Sequence, residues 1–184
     1  MEDVRPKPQV AMLFLSTVLG ILLGTSILLA TKINNPPVTP RITSLEHLLG
    51  ELVPEYELEQ LDGGPISTRL YQGKSHLLVF TLPGCDACDT MYPIIGKAAT
   101  DIPILMVSNT REGLMEQVTE HDLAFPIAVD TLLLTMEHLN ITNFPTALLV
   151  DEEQRIVEAV RGTGFPIENI VRSAQKVIKK ERAK

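Results

Sequence analysis

Tryptophan is absent from the 184 residues, cysteine occurs twice, and histidine occurs four times. Two cysteines cannot build a disulfide-rich scaffold. His47, His76, His121 and His138 show no paired spacing, so they do not complete a zinc site with the cysteines. The sequence therefore names no metal ligand set and no cofactor beyond a cysteine pair. Basic charge is also short: 16 Lys and Arg stand against 23 Asp and Glu, a net charge of −7. That balance excludes the basic face that nucleic-acid binding needs. The one basic cluster, Lys176, Lys179, Lys180, Arg182 and Lys184, closes a helical pattern, where cations suit the helix dipole.

Charge is missing altogether from Val10 to Ala30, a Leu- and Ile-rich run of 21 residues. At helical rise it spans roughly 30 Å, one bilayer core. Arg5 and Lys7 before it, against Lys32 after it, place residues 1–9 in the cytoplasm and the rest outside. A cleaved signal peptide is the rival reading, but its apolar region is usually shorter, and Leu28 stands where a small residue is wanted before a cut after Ala30. The small-xxx-small pattern of Gly20 and Gly24 would let two anchors pack as a dimer. Residues 31–53 follow as a linker with Pro36, Pro37 and Pro40, then a short helix to about Leu52 opened by Thr43-Ser44-Leu45-Glu46.

From 54 to 184 the pattern is that of one domain. Tyr56 and Leu58 alternate with charged residues, Asp62-Gly63-Gly64 turns, and Ile66 to Leu70 returns as a hairpin. His76–Thr81 is apolar on both faces, as a central strand is. Helical spacing runs from Cys85 to about Ala99, with Pro93 expected to kink it. A strand at Ile102–Val107, a helix from Arg111 to about Asp122 with Leu114, Met115 and Val118 inward, and a strand at Phe125–Val129 follow. A short helix at Leu132–Leu139, a hairpin of Ala147–Val150 with Arg155–Val160, and a helix from Pro166 complete the order. Such an order implies an α/β fold with a mixed central sheet, helices on both faces and an N-terminal β-hairpin.

The cysteines lie in Pro83-Gly84-Cys85-Asp86-Ala87-Cys88, between a strand and a helix. Cys85 meets the helix N-terminus, where unpaired N–H groups and the dipole favour a thiolate. Cys88, one turn on, is placed to close a disulfide with it. Three plainer readings compete: a structural staple, half of a metal site, and a remnant. A loop this short gains only about 2 kcal/mol from a staple, and a metal would need further ligands. A redox dithiol explains the spacing better. Asp86 lies between the cysteines and Asp89 follows them; both oppose the dipole and would tune the pair toward a reducing protein.

With Cys85-Asp86-Ala87-Cys88 at that junction and Phe144-Pro145-Thr146 opening a later strand, the chain resembles thioredoxin-fold proteins. More narrowly it resembles the membrane-anchored TlpA/ResA-like thiol-disulfide oxidoreductases, with similarity to the MauD-like branch over Phe80–Pro93 and Phe125–Gly162. The resemblance covers roughly Pro54–Lys179. It implies a thioredoxin-like fold, catalytic Cys85 and Cys88, and a cis Pro145. It also implies that Phe144 offers its backbone to a cysteine-bearing client as a short added strand. Two acids common among such relatives are missing, since Val79 and Met91 stand in their places. The proton acceptor for Cys88 is therefore unassigned.

The expected function is an anchored, extracytoplasmic exchange of disulfides in exported client proteins, resupplied by a membrane or extracytoplasmic thiol donor. A thioredoxin-fold copper chaperone is the alternative, although its cysteines are spaced by three residues rather than two. A peroxiredoxin does not fit, because its Pro-x-x-x-Thr-x-x-Cys pattern does not align on either cysteine.

Overall fold

The structure, a computed structural model, describes residues 45–183. The span expected at 10–30, the Pro-rich stretch after it, and Thr43 and Ser44 lie outside the described residues. Among those that are described, no helix is long and apolar enough to cross a membrane.

Seven strands form one sheet: β1 Glu57–Gln60, β2 Pro65–Ser67, β3 His76–Thr81, β4 Ile104–Ser108, β5 Ile127–Val129, β6 Thr146–Val150 and β7 Ile156–Arg161. Their spatial order is β2-β1-β5-β4-β3-β6-β7. β3 is parallel to β4 and antiparallel to β6, so the sheet is mixed. Helices α1 Asp86–Ala98, α2 Leu114–Glu120, α3 Leu134–His138 and α4 Phe165–Glu181 separate the strands. The order of elements is the one the hydrophobic pattern predicts.

Alternation along the central strands divides the interior into two layers. Leu77 and Val79 of β3 face a core that contains Met91, Tyr92 and Ile95 of α1 and Ile167, Ile170 and Ala174 of α4. Leu78 and Phe80 face the other core, with Met136 of α3 and Leu139 just after it. Helices therefore cover both faces. At about 25 cal/mol per Å² of apolar surface removed from water, this double burial is the main stabilising term.

Several local expectations change. The helix to Leu52 is only a 3-10 turn at Glu46–Leu48. The segment then runs beside β7: Gly50 N–H donates to the Ile156 carbonyl, and Ile156 N–H to that of Glu51. Leu45, Leu48 and Val53 are buried, so the chain joins the fold by Leu45 rather than at Pro54. α2 starts at Leu114 instead of Arg111, because Gly113 sits at φ 72° and breaks the helical run. Arg111 leaves that run to pair with Glu59 at 2.8 Å and to donate to the Gln60 carbonyl. Leu114 points inward as expected, but Met115 is 50 % exposed. Pro93 lies inside α1, which continues through it.

His76 opens β3 fully buried, with Nδ1 3.1 Å from the Lys74 carbonyl and its ring against Tyr71. Burial holds its imidazole below the ordinary value of 6.5, against the opposing pull of the Lys74 carbonyl and Asp151. The unfolded chain binds that proton more readily than the folded one. Stability is therefore expected to fall as pH drops below 6.5. Urea melts of the native chain and of His76→Phe across pH 5–7 check this. An acid limb of equal slope in both would remove His76 as its cause.

Candidate active site

β3 ends at Thr81, and Leu82-Pro83-Gly84 carries the chain to Cys85 at the N-terminus of α1. Gly84 takes φ 73°, a left-handed turn that glycine adopts without a Cβ clash. Cys85 is extended and acts as the helix N-cap, its sulfur accepting the Cys88 N–H at 3.3 Å. Its carbonyl also accepts the amides of Cys88 and Asp89, at 2.7 and 3.1 Å. The spacing of the two cysteines thus places Cys85 at the opening and Cys88 on the inner face of the first turn.

The two sulfurs differ sharply. Cys85 is half-buried and reachable, whereas Cys88 is fully buried among Val79, Met91 and Tyr92. Both are free thiols. Burial pushes the Cys88 thiol up to about 12, and its hydrogen bond with Cys85 adds to that. The Leu82 backbone and the Thr81 hydroxyl pull it back.

The Phe144–Pro145 peptide is cis. β6 begins at Thr146 and pairs with β3 in the register Phe80↔Thr146. That pairing brings Phe144 beside the cysteines: the Cys85 thiol faces the Phe144 carbonyl at 3.9 Å. Pro145 is buried behind it, and its carbonyl accepts the Gly162 N–H at 2.9 Å. The loop after β7 also meets α1, since the Thr163 and Thr90 hydroxyls lie 2.7 Å apart. Next to Phe144 a cavity of about 350 Å³ opens, lined by Leu133, Met136, Ile141 and Asn109 among others.

The two acids near the cysteines part company. Asp86 is exposed in the first turn of α1. Asp89 is half-buried and accepts the Gln117 side-chain amide at 3.1 Å. His138 is taken up elsewhere, with Nδ1 3.1 Å from the Tyr56 hydroxyl. Among the described residues, no three His, Cys, Asp or Glu side chains gather in a way that could hold a metal ion.

Two functional features escaped the sequence reading. One is a polar run beside Cys88, formed by Thr81, Tyr92 and Gln117. The other is Asp130, buried after β5. Its carboxylate accepts the N–H groups of Leu134 and Thr135, both at 2.8 Å, and of Met136 at 3.2 Å. It thereby holds the start of α3, which walls the cavity beside Phe144. The only sequence signal for Asp130 is an acid placed a few residues before a helical pattern.

A strand-to-helix dithiol facing the loop before an antiparallel strand, within this mixed sheet, defines a thioredoxin-like thiol-disulfide oxidoreductase. The chain belongs to the Redoxin family, whose model matches residues 48–176. It is 30 % identical over 139 residues to the thiol-disulfide oxidoreductase ResA of Halalkalibacterium halodurans, covering 72 % of this chain and 78 % of that one. Over 77 residues it is 36 % identical to the methylamine utilization protein MauD of Paracoccus denitrificans, 40 % of this chain and 38 % of that one. Among solved structures, it superposes on the thioredoxin domain of a thiol-disulfide oxidoreductase from Bacteroides vulgatus with a TM-score of 0.60. That pair is 26 % identical, with 68 % of this chain and 96 % of the other covered. StoA from Bacillus subtilis shares the fold at a TM-score of 0.55 and 19 % identity, over 66 % of this chain and 96 % of that one.

Proposed function

We propose that the protein is anchored by residues 10–30 and exchanges disulfides of exported clients on the outer side of a membrane, in the reducing direction. The observation that carries this reading is the asymmetry of the dithiol: Cys85 is reachable and faces the Phe144 carbonyl, while Cys88 is sealed behind it. Cys85, as thiolate, attacks one sulfur of a client disulfide. A mixed disulfide forms, and the other client sulfur leaves as a thiolate that takes up a proton. Cys88 then gives up its proton and attacks the Cys85 sulfur. The Cys85–client bond breaks, the second client thiol departs, and Cys85–Cys88 becomes the disulfide. Two electrons have passed to the client. A membrane or extracytoplasmic thiol donor returns them.

The Phe144 backbone and the adjoining cavity suit a short extended client segment that adds as a strand. The reducing direction is supported by Asp86 and Asp89, carboxylates in the first turn of α1 that disfavour a thiolate beside them. Thiolate stabilisation favours the reduced protein and makes a dithiol oxidising, and these acids oppose it. An uncharged 21-residue run ahead of the domain supports the anchor and, with it, clients on the outer side, and similarity to the thiol-disulfide oxidoreductase ResA supports a disulfide as the group acted on.

Full-length Cys88→Ser, expressed in a bacterial host, is expected to accumulate client mixed disulfides in the membrane fraction, and the reduced native chain in that fraction is expected to react through Cys85 with a membrane-impermeant alkylating reagent. The native chain should equilibrate with glutathione near about −270 mV, the thioredoxin range. A soluble, reagent-protected protein would remove the anchored outer location. A potential near about −120 mV would reverse the direction.

A further inference from the structure

Helices α1, α2 and α4 line one face of the sheet, with α1 in the middle. On one flank Tyr92 of α1 meets α2, donating to Gln117 at 2.9 Å, with its ring 5.0 Å from that of His121. On the other flank a groove of about 620 Å³ runs between α1 and α4, floored by Pro93, Ile94, Ala98 and Val171. Its α4 rim is Glu168, Arg172, Gln175, Lys179 and Arg182, at helical spacing along one side of that helix. Lys97 and Asp101 form the facing rim. Four cations thus meet two acids here, in a chain whose net charge is −7. Arg172 also lies over the Phe165 ring, 6.0 Å from its centroid, and donates to Asn169.

α2 has the opposite character. Leu114 turns inward, which leaves Met115, Glu116, Thr119 and Glu120 exposed as one ridge. Glu112 and Asp122, just beyond its two ends, are exposed as well. α2 has 7 residues, roughly 10 Å of helix, and the rim from Glu168 to Gln175 is as long. We propose that two copies of the chain pair through this face. The α2 ridge of one copy seats in the α1–α4 groove of the other, with Met115 on the apolar floor and Glu116 and Glu120 against Lys97, Arg172 and Lys179. The second copy returns the same contact.

The order α4–α1–α2 lets one two-fold axis make both contacts. An axis lying in the interface and parallel to α1 sets the α4 side of each copy over the α2 side of the other, so the contact closes on itself. Turning that axis through a right angle stacks α4 on α4 and opposes Arg172 and Lys179 to like charge. Helix ridges pack into helix grooves throughout protein interiors, and an apolar centre inside a charged rim is the anatomy of an interface. Glu168 and Asp101 oppose the acidic ridge, so charge sets the orientation and the apolar floor supplies most of the affinity. An acyl chain fits such a floor but brings charge at one end only, whereas the α2 ridge brings two acids one turn apart. The axis keeps both α1 N-termini on one side, so both Cys85 thiols open in the same direction. The cavity beside Phe144 is walled by α3 on the opposite face of the sheet and stays free. Pairing of this kind is independent of the redox direction and of any anchor.

The test is sedimentation equilibrium of the full-length chain in density-matched detergent. The native chain is expected to be dimeric at about 50 µM in low salt and to dissociate as salt rises. A groove variant, Arg172→Glu with Lys179→Glu, and a ridge variant, Glu116→Lys with Glu120→Lys, are each expected to associate with themselves about 10²-fold more weakly, because like charges then meet in both contacts. Mixed in equal amounts, the two are expected to form a one-to-one dimer as tight as the native one. Each reversed groove then faces a reversed ridge, and each native groove a native ridge. Both variants should keep native insulin-disulfide reduction, which reports that they are folded. A native chain that stays monomeric at that concentration overturns the proposal. So does a variant that dimerises like the native chain, which would put the contact elsewhere, as in residues 10–30, and so does a mixture that stays monomeric. A monomeric native chain that binds phosphatidylglycerol vesicles through Arg172 and Lys179 would give the groove to a lipid surface instead.

Discussion

Cys85→Ser is expected to bring insulin-disulfide reduction down to the uncatalysed background, a loss of at least about 10³-fold, the scale seen when one member of a nucleophilic unit is removed. The size of the effect follows from the geometry rather than from the motif. A serine hydroxyl is too weakly acidic to attack a disulfide at neutral pH. Cys88 cannot take over, since it is fully buried. Its thiol is also pushed up to about 12, which leaves almost no thiolate at pH 7. Cys88→Ser should behave differently. The first attack survives, and mixed disulfides build up on Cys85, visible by mass spectrometry under non-reducing conditions. If Cys85→Ser retained a tenth of the native rate, the assignment of attacker and resolver would be wrong.

The second large effect concerns stability. Asp130→Ala is expected to cost about 3 kcal/mol, the sum of lost charge-assisted hydrogen bonds and of buried N–H groups left without an acceptor. For a chain of this length that lowers the melting temperature by roughly 10 °C. Three amides at the start of α3 depend on this one carboxylate. Leu133, just before α3, sits at φ 58°, so the local backbone does not enter the helix smoothly by itself. Asp130→Asn keeps one oxygen and should fall in between. Thermal melts of the three proteins decide it, and a loss under about 1 kcal/mol for the alanine variant would sink the argument. Because Met136 and Leu133 line the cavity beside Phe144, client exchange should weaken at temperatures where the variant is still folded.

Much of the fold was legible because it rests on periodicity. β3 reads as a two-sided apolar strand, α4 shows an apolar stripe at Ile167, Ile170, Val171, Ala174, Val177 and Ile178, of which Val177 is only partly buried, and both hairpins announce their turns. Cys85 and Cys88 were legible from local spacing alone. The proton environment of Cys88 was not. Val79 and Met91, where an acid was sought, are fully buried core residues. The polar groups instead come from Thr81, Tyr92 and Gln117. Thr81 and Tyr92 are 11 positions apart, and Tyr92 and Gln117 are 25 apart. They meet only because β3, α1 and α2 pack together, and no repeat or motif encodes that meeting. The segment from Leu45 to Val53 was misjudged for a related reason: its three buried apolar residues make sense only once the sheet edge beside them exists.

The edges of the sheet bear on how this enzyme meets unfolded proteins. A sheet with an open border recruits any extended chain, and a protein that handles client disulfides works beside such chains. Here β2, at one border, is three residues long and begins with Pro65, which has no amide proton to offer. At the other border the start of β7 is occupied by Gly50, Glu51 and Leu52. Sticky borders are blunted, which on the proposed function leaves the backbone at Phe144, next to a reachable sulfur, as the place for an extended chain to dock. Discrimination between a client and a bystander is then kinetic: a chain that brings a disulfide to Phe144 is captured covalently, and one that does not is released.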